Sequence, residues 1–109
     1  MYLTSKSPEE AIKDWMDDAV DFGPFLIVNG KPMQYANSES VGGYSRAARS
    51  AIAQRKDGVV LFLVIDGENY TNGGSLKDMI EVLERYGAYN AANLDGGNSS
   101  VLVINNKNL

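Results

Sequence analysis

The sequence predicts an α+β (mixed α/β) domain, with a mixed, largely antiparallel sheet whose hairpins pack against two helices. Two segments open as capped helices do, at Ser7-Pro8-Glu9-Glu10 and at Ser75-Leu76-Lys77-Asp78. Short apolar runs meet turn signals at Asn29-Gly30 and Lys56-Asp57-Gly58. The order of these pieces lacks the regular strand–helix alternation of a doubly wound parallel sheet.

The first helix starts at the Ser7 cap, with Pro8 in the first turn and Glu10 completing a capping box. Ala11, Ile12, Trp15, Met16, Ala19 and Val20 follow at helical spacing, and Lys13, Asp14, Asp17 and Asp18 mark a solvated face. Asp21-Phe22-Gly23-Pro24 ends it. Phe25 to Val28 reads as a strand, turned by Asn29-Gly30 into a return over Lys31 to Gln34. Ala36 to Tyr44 is a loop without periodicity. Ala48 to Gln54 and Val59 to Ile65 form a second hairpin, and the unbroken apolar run of the latter predicts burial on both faces. Leu76 to Tyr86 is the second helix, with Leu76, Met79, Ile80 and Leu83 as its buried stripe and Gly87 as its end signal. Tyr89 to Leu94 and Ser99 to Ile104 are the last strands, joined by Asp95-Gly96-Gly97-Asn98.

A chain of 109 residues supports a single domain with one core. Its 44% hydrophobic and 22% charged content is that of a globular protein. The net charge of −4 gives no footprint for nucleic acid. The small basic group Arg46, Arg49, Arg55 and Lys56 could still hold one anion. The chain has neither cysteine nor histidine, which excludes disulfides, Cys/His zinc sites, a Ser-His-Asp triad and a Cys-His dyad within it. The longest apolar run is too short for a membrane span, and the polar start Met1 to Ser7 shows no leader pattern.

Three segments place polar or small residues at the ends of predicted strands, where a rigid sheet can hold them in a cleft. Arg49, beside Ser50, offers a planar cationic fork suited to a phosphate, although an arginine at a strand start is more often a surface residue. Asp66-Gly67 closes the apolar strand, a place for a general acid, base or metal ligand, or for an Asx turn bonded to its own backbone. Asn93-Leu94-Asp95-Gly96-Gly97-Asn98-Ser99-Ser100 could turn tightly and form an anion nest with the Ser99 and Ser100 hydroxyls as extra donors, or simply be a hairpin turn. A calcium loop after Asp66 is excluded, because Thr71 stands at the glycine position and Lys77 at the closing acid position.

Taken in order, Phe22-Gly23-Pro24-Phe25-Leu26-Ile27-Val28-Asn29-Gly30, Ala48-Arg49-Ser50-Ala51-Ile52-Ala53-Gln54, Val60 to Gly67, Gly73-Gly74-Ser75-Leu76 and Gly87-Ala88 to Ser100 resemble the phosphodiester glycosidase family. The resemblance covers roughly residues 20–109, and the last block, Gly87 to Ser100 with Asn93-Leu94-Asp95-Gly96-Gly97-Asn98-Ser99-Ser100 at its end, is its most specific part. Departures from the family pattern are Ala48 for a proline, Ser50 for a threonine, Ala53 and Asn98 for glycines, and Glu68 where the family often has arginine.

The resemblance implies a hydrolase that removes an N-acetylglucosamine-like sugar from a phosphodiester-linked acceptor, in cell-envelope or exopolysaccharide metabolism. The alternative is a carbohydrate- or phosphate-binding or assembly module without turnover. It further implies that Arg49 grips phosphate, that Asp95 or Asp66 is the catalytic carboxylate, and that Ser50, Gly67, Gly96, Gly97, Asn98 and Ser99 bind substrate. No cofactor is required, and a divalent cation could be held by Asp66 or Asp95 with substrate oxygens. The implied partners are a sugar phosphodiester or glycan, with no nucleic acid and no membrane span, and the implied location is secreted or at the cell surface. The family domain is longer than this chain, so the resemblance makes the chain its C-terminal part and predicts self-association or strand exchange through exposed sheet edges.

Overall fold

The computed structural model describes residues 1–34, 45–67 and 72–108. The expected loop Ala36 to Tyr44, and the Glu68 departure, lie outside them. Within them the elements run α1 (Pro8–Lys13), β1 (Phe25–Val28), β2 (Lys31–Pro32), β3 (Arg49–Arg55), β4 (Val60–Ile65), α2 (Leu76–Arg85), β5 (Ala88–Leu94), β6 (Val103–Ile104) and β7 (Lys107–Asn108). The main sheet has five strands in the order β2-β1-β5-β3-β4, and every pairing in it is antiparallel. The predicted fold class is therefore the observed one.

Local chemistry accounts for the turns. Asn29 and Gly30 both take positive φ, 50° and 78°, as a type I′ hairpin needs, and Val28 faces Lys31 across it. Gly58, at φ 91°, closes the β3–β4 hairpin, whose register runs unbroken from Gln54↔Val60 to Arg49↔Ile65. At α2 the Ser75 hydroxyl accepts from the Asp78 N–H, and the Asp78 carboxylate accepts from the Ser75 N–H. Gly87 follows the helix at φ 83°.

One face of the sheet carries the core. Leu76, Met79, Ile80 and Leu83 of α2 lie against Leu26, Ile27, Ala51, Ala53, Ala88 and Ala91, with Leu61, Leu63 and Ile65 partly buried beside them. The alanines on β3 and β5 let the helix approach the sheet closely, so four apolar helix residues suffice to close that layer.

Three expectations are corrected. The first helix ends at Lys13, not near Val20, and it buries no residue. Trp15 takes a left-handed φ of 56° and is 90% exposed. Six residues make too short a helix to persist without a packed face, and Asp14, Asp17 and Asp18 would oppose the negative end of a longer one. Second, β4 is not buried on both faces. It is an edge strand that turns Leu61, Leu63 and Ile65 to the core and exposes Val60, Phe62 and Val64, because α2 covers one face only. Third, the last strand does not run from Ser99 to Ile104. Gly97–Ser99 is a 3-10 turn, and only Val103–Ile104 is extended. It pairs with Lys107–Asn108 through Asn105 and Asn106, both at positive φ. No helix among the described residues is long and apolar enough to cross a membrane.

Candidate functional site

The start of β3, the end of β4, the entry to α2 and the end of β5 meet at one end of the sheet, around Ala47 and Ala48. Ala47 and Gly74 exchange backbone hydrogen bonds at 3.2 and 3.0 Å. The Gly97 N–H donates to the Ala48 carbonyl at 2.9 Å. Glycine is needed where these loops close on the alanines. A Cβ on Gly67 would lie 2.7 Å from the Ala48 nitrogen, and one on Gly96 2.8 Å from the Ala48 oxygen. Gly73 is tighter still, with φ 109° and its Cβ position 2.6 Å from the Ala47 carbonyl carbon.

Arg49 is half-buried at this junction. Its Nε donates to the Gly74 carbonyl at 3.2 Å, and its Nη2 to the Ser45 carbonyl and hydroxyl at 2.8 and 2.9 Å. Burial lowers its pKa from the ordinary value, yet a guanidinium stays cationic at neutral pH. These bonds fix a positive charge at the sheet end. Asp78, at the head of α2, is held below the usual carboxylate value chiefly by the Ser75 backbone N–H, with Arg46 3.6 Å away as a lesser contributor.

Asp66 and Asp95 are both exposed, and each forms the local turn bond that its Asp-Gly sequence allows. Asp66 Oδ1 accepts from the Gly67 N–H at 2.9 Å, and Asp95 Oδ1 from the Gly96 N–H at 2.8 Å. The N–H groups of Gly97 and Ser99 are engaged as well, with Ala48 and Gly96 as acceptors. A ligand oxygen would have to exchange with those bonds to use them. Asn98 and Ser99 are exposed residues.

The structure divides the sequence-derived residues between two surfaces. Ser50, Asp95 and Ser99 line one cavity of about 230 Å³, floored by Phe62, Val64 and Leu94 and walled by Val101 and Leu102. Arg49 lies one residue from Ser50 along β3 and so projects to the opposite side of the sheet. Gly67 and Gly96 pack on the Ala48 backbone and Gly97 bonds to it, while Asp66 follows β4 without lining that cavity. Among the described residues, no group of three or more His, Cys, Asp or Glu side chains could hold a metal ion.

The hydrogen-bond partners of Arg49 and of Asn93 escaped the sequence reading. Ser45 and the Gly74 carbonyl position Arg49, and the glycine doublet before the Ser75 cap was their only signal. Asn93 is buried within the alanine-rich β5, where its Nδ2 donates to the Gly23 carbonyl at 3.0 Å. Its Oδ1 has no hydrogen-bond partner among the described residues. A polar residue in so small-sided a strand could have marked it.

The phosphodiester glycosidase (NAGPA) family model matches residues 2–109. The chain belongs to the phosphodiester glycosidase family. It is 30% identical over 88 residues to the N-acetylglucosamine-1-phosphodiester alpha-N-acetylglucosaminidase of Bos taurus, a match covering 76% of this chain and 17% of that protein. It is 31% identical over 87 residues to the SPbeta prophage-derived protein YomE of Bacillus subtilis, covering 79% and 14%. Among solved structures, the catalytic domain of the zebrafish N-acetylglucosamine-1-phosphodiester alpha-N-acetylglucosaminidase, auto-inhibited by its pro-peptide, superposes with a TM-score of 0.67 at 25% identity. That match covers 78% of this chain and 32% of the zebrafish one. A hypothetical protein from Synechocystis gives a TM-score of 0.65 at 37% identity, covering 80% and 17%. The phosphodiester glycosidase fold of this chain thus spans a minor part of each of these relatives.

Proposed function

We propose that this chain forms part of a phosphodiester glycosidase site that releases an N-acetylglucosamine-like sugar from a phosphodiester-linked acceptor. The observation that carries this reading is the meeting of Arg49, Gly67 and Asp95-Gly96-Gly97 at one sheet end around Ala47 and Ala48, with Arg49 on one side of the sheet and the Asp95 cavity on the other. A fixed guanidinium there can stabilise charge developing on a leaving phosphate. Asp95, which shares a cavity with Ser50 and Ser99, acts in this reading as the carboxylate at the anomeric carbon, and Asp66 is the second candidate. Gly67, Gly96, Gly97 and Asn98 let the loops approach the substrate closely. The chain acts as the C-terminal portion of a larger catalytic domain, a reading supported by the 32% coverage of the zebrafish chain. Its setting is cell-envelope or exopolysaccharide metabolism, at the cell surface or outside the cell.

A second reading is a glycan- or phosphate-binding module without turnover. It is favoured by Asp66 and Asp95 each turning an oxygen onto the following backbone N–H rather than outward. Hydrolysis of UDP-N-acetylglucosamine separates the two. Free sugar released by the chain, and reduced at least tenfold in Arg49→Ala, is the expected result. Saturable binding of that probe with no release from the folded chain selects the binding module instead.

A further inference from the structure

The two edges of the main sheet are built differently. The β2 edge is two residues long and carries Lys31 and Pro32, a charge and a residue without an N–H, both of which discourage further strand pairing. The β4 edge is six residues, VLFLVI, with no charge, no proline and no bulge against β3. Val60, Phe62 and Val64 on its outer face are exposed, Phe62 to 71%. Among the described residues no strand pairs with the far side of β4, and an open apolar edge of this kind is a template for another strand.

The sequence of that edge specifies which strand. Val60-Leu61-Phe62-Leu63-Val64 reads the same in both directions, and the flanking Val59 and Ile65 are both β-branched. An antiparallel pair related by a two-fold axis at Phe62 therefore sets like against like: Phe62 against the partner's Phe62, Val60 against the partner's Val64, Leu61 against the partner's Leu63. The backbone agrees. The Arg55 N–H donates to the Val59 carbonyl at 2.9 Å, which fixes 55–59 as a bonded pair. Bonded and non-bonded pairs alternate along an antiparallel ladder. The N–H and C=O groups of Val60, Phe62 and Val64 consequently point away from β3, to the free edge. The two-fold at Phe62 pairs those groups with one another and leaves none facing a blank position.

We propose that a second copy of this chain docks on β4, antiparallel and in register about Phe62, to form an isologous dimer with a continuous sheet. The same register sets the partner's Gly58 opposite Asp66, so the Lys56-Asp57-Gly58 turn of each copy flanks the candidate site of the other.

Sedimentation of the 109-residue chain over a micromolar to millimolar series, together with single-cysteine variants, tests this proposal. The chain has no native cysteine, so each introduced thiol reports one position. The expected mass is that of a dimer, reverting to a monomer in Phe62→Lys, where two like charges would face each other. Phe62→Cys should cross-link to itself under oxidation or with a short bis-thiol reagent, since Cα atoms of a bonded pair lie about 5.5 Å apart. Val60→Cys should not cross-link to itself, but should do so when mixed with Val64→Cys. Circular dichroism of each variant matching the native spectrum confirms that the fold is kept. A wild-type chain that stays monomeric throughout, a dimer that survives Phe62→Lys, or self-linking of Val60→Cys equal to that of Phe62→Cys would each overturn the proposal.

Discussion

α1 and α2 begin with the same device and have different fates. Each opens on a serine whose hydroxyl accepts from the N–H three residues on, while the acid at that position accepts from the serine N–H. α2 runs ten residues and buries Leu76, Met79, Ile80 and Leu83, whereas α1 stops after six and buries nothing. A cap supplies about 1 kcal/mol at a helix end, while each buried aliphatic side chain contributes about 1.5–3 kcal/mol. Capping thus chooses where a helix starts, and packing decides whether the rest of the protein depends on it.

The largest effect that would sharpen this contrast is expected in the packed stripe of α2. Leu83→Ala should cost about 2–5 kcal/mol, read as a fall in the urea midpoint with the slope preserved. Ile12→Ala, on the exposed α1, should leave that midpoint within experimental error. Next comes Gly73→Ala in the loop entering α2. The left-handed backbone alone should cost about 1–2 kcal/mol, and the contact with Ala47 should add to it. Proteolysis of the loop before Ser75 should accelerate in that variant.

Smaller again is the cap itself. Ser75→Ala should lower stability by about 1 kcal/mol, while the chemically equal Ser7→Ala should change only the exchange of the first α1 amides. Equal midpoint losses from both serines would break the comparison, because they would make α1 part of the cooperative unit. The smallest effect should come from acid. The folded-state pKa of Asp78 lies below its unfolded value, so its contribution is full above the unfolded value and is lost as pH falls through the folded one. As pH falls from about 4 through the lower folded-state value, Asp78→Asn should therefore converge on the stability of the native chain, whereas at neutral pH it should be the weaker of the two. Its part exposure keeps the difference small.

The legible parts of the fold were those with local causes. Asn29-Gly30, Lys56-Asp57-Gly58 and Ser75 with Asp78 each specify a turn or cap through backbone conformation and nearby hydrogen bonds. The α2 stripe was legible because a 3.6-residue period leaves only one apolar face. The Val59–Ile65 run was misread, since an apolar strand carries the same letters whether it is central or at an edge. The α1 extension was misread because helical spacing says nothing about whether a facing surface exists. For the candidate site, the strand-terminal residues Arg49, Asp66 and Asp95 stood out by position. Their distribution between the two sides of the sheet, and the grip of Ser45 and Gly74 on Arg49, depend on contacts across 4 and 25 residues of chain.

The sequence by itself determined the fold class, the turns, the α2 core face and the kinship with phosphodiester glycosidases, because each is encoded in spacing or in an ordered run of residues. Only the tertiary structure decided that β4 is an edge, that α1 stands outside the core, and that Ala47 and Ala48 form the point where three glycine loops close. Those outcomes follow from which surfaces find a partner, and burial is a property of pairs of segments that neither segment specifies alone.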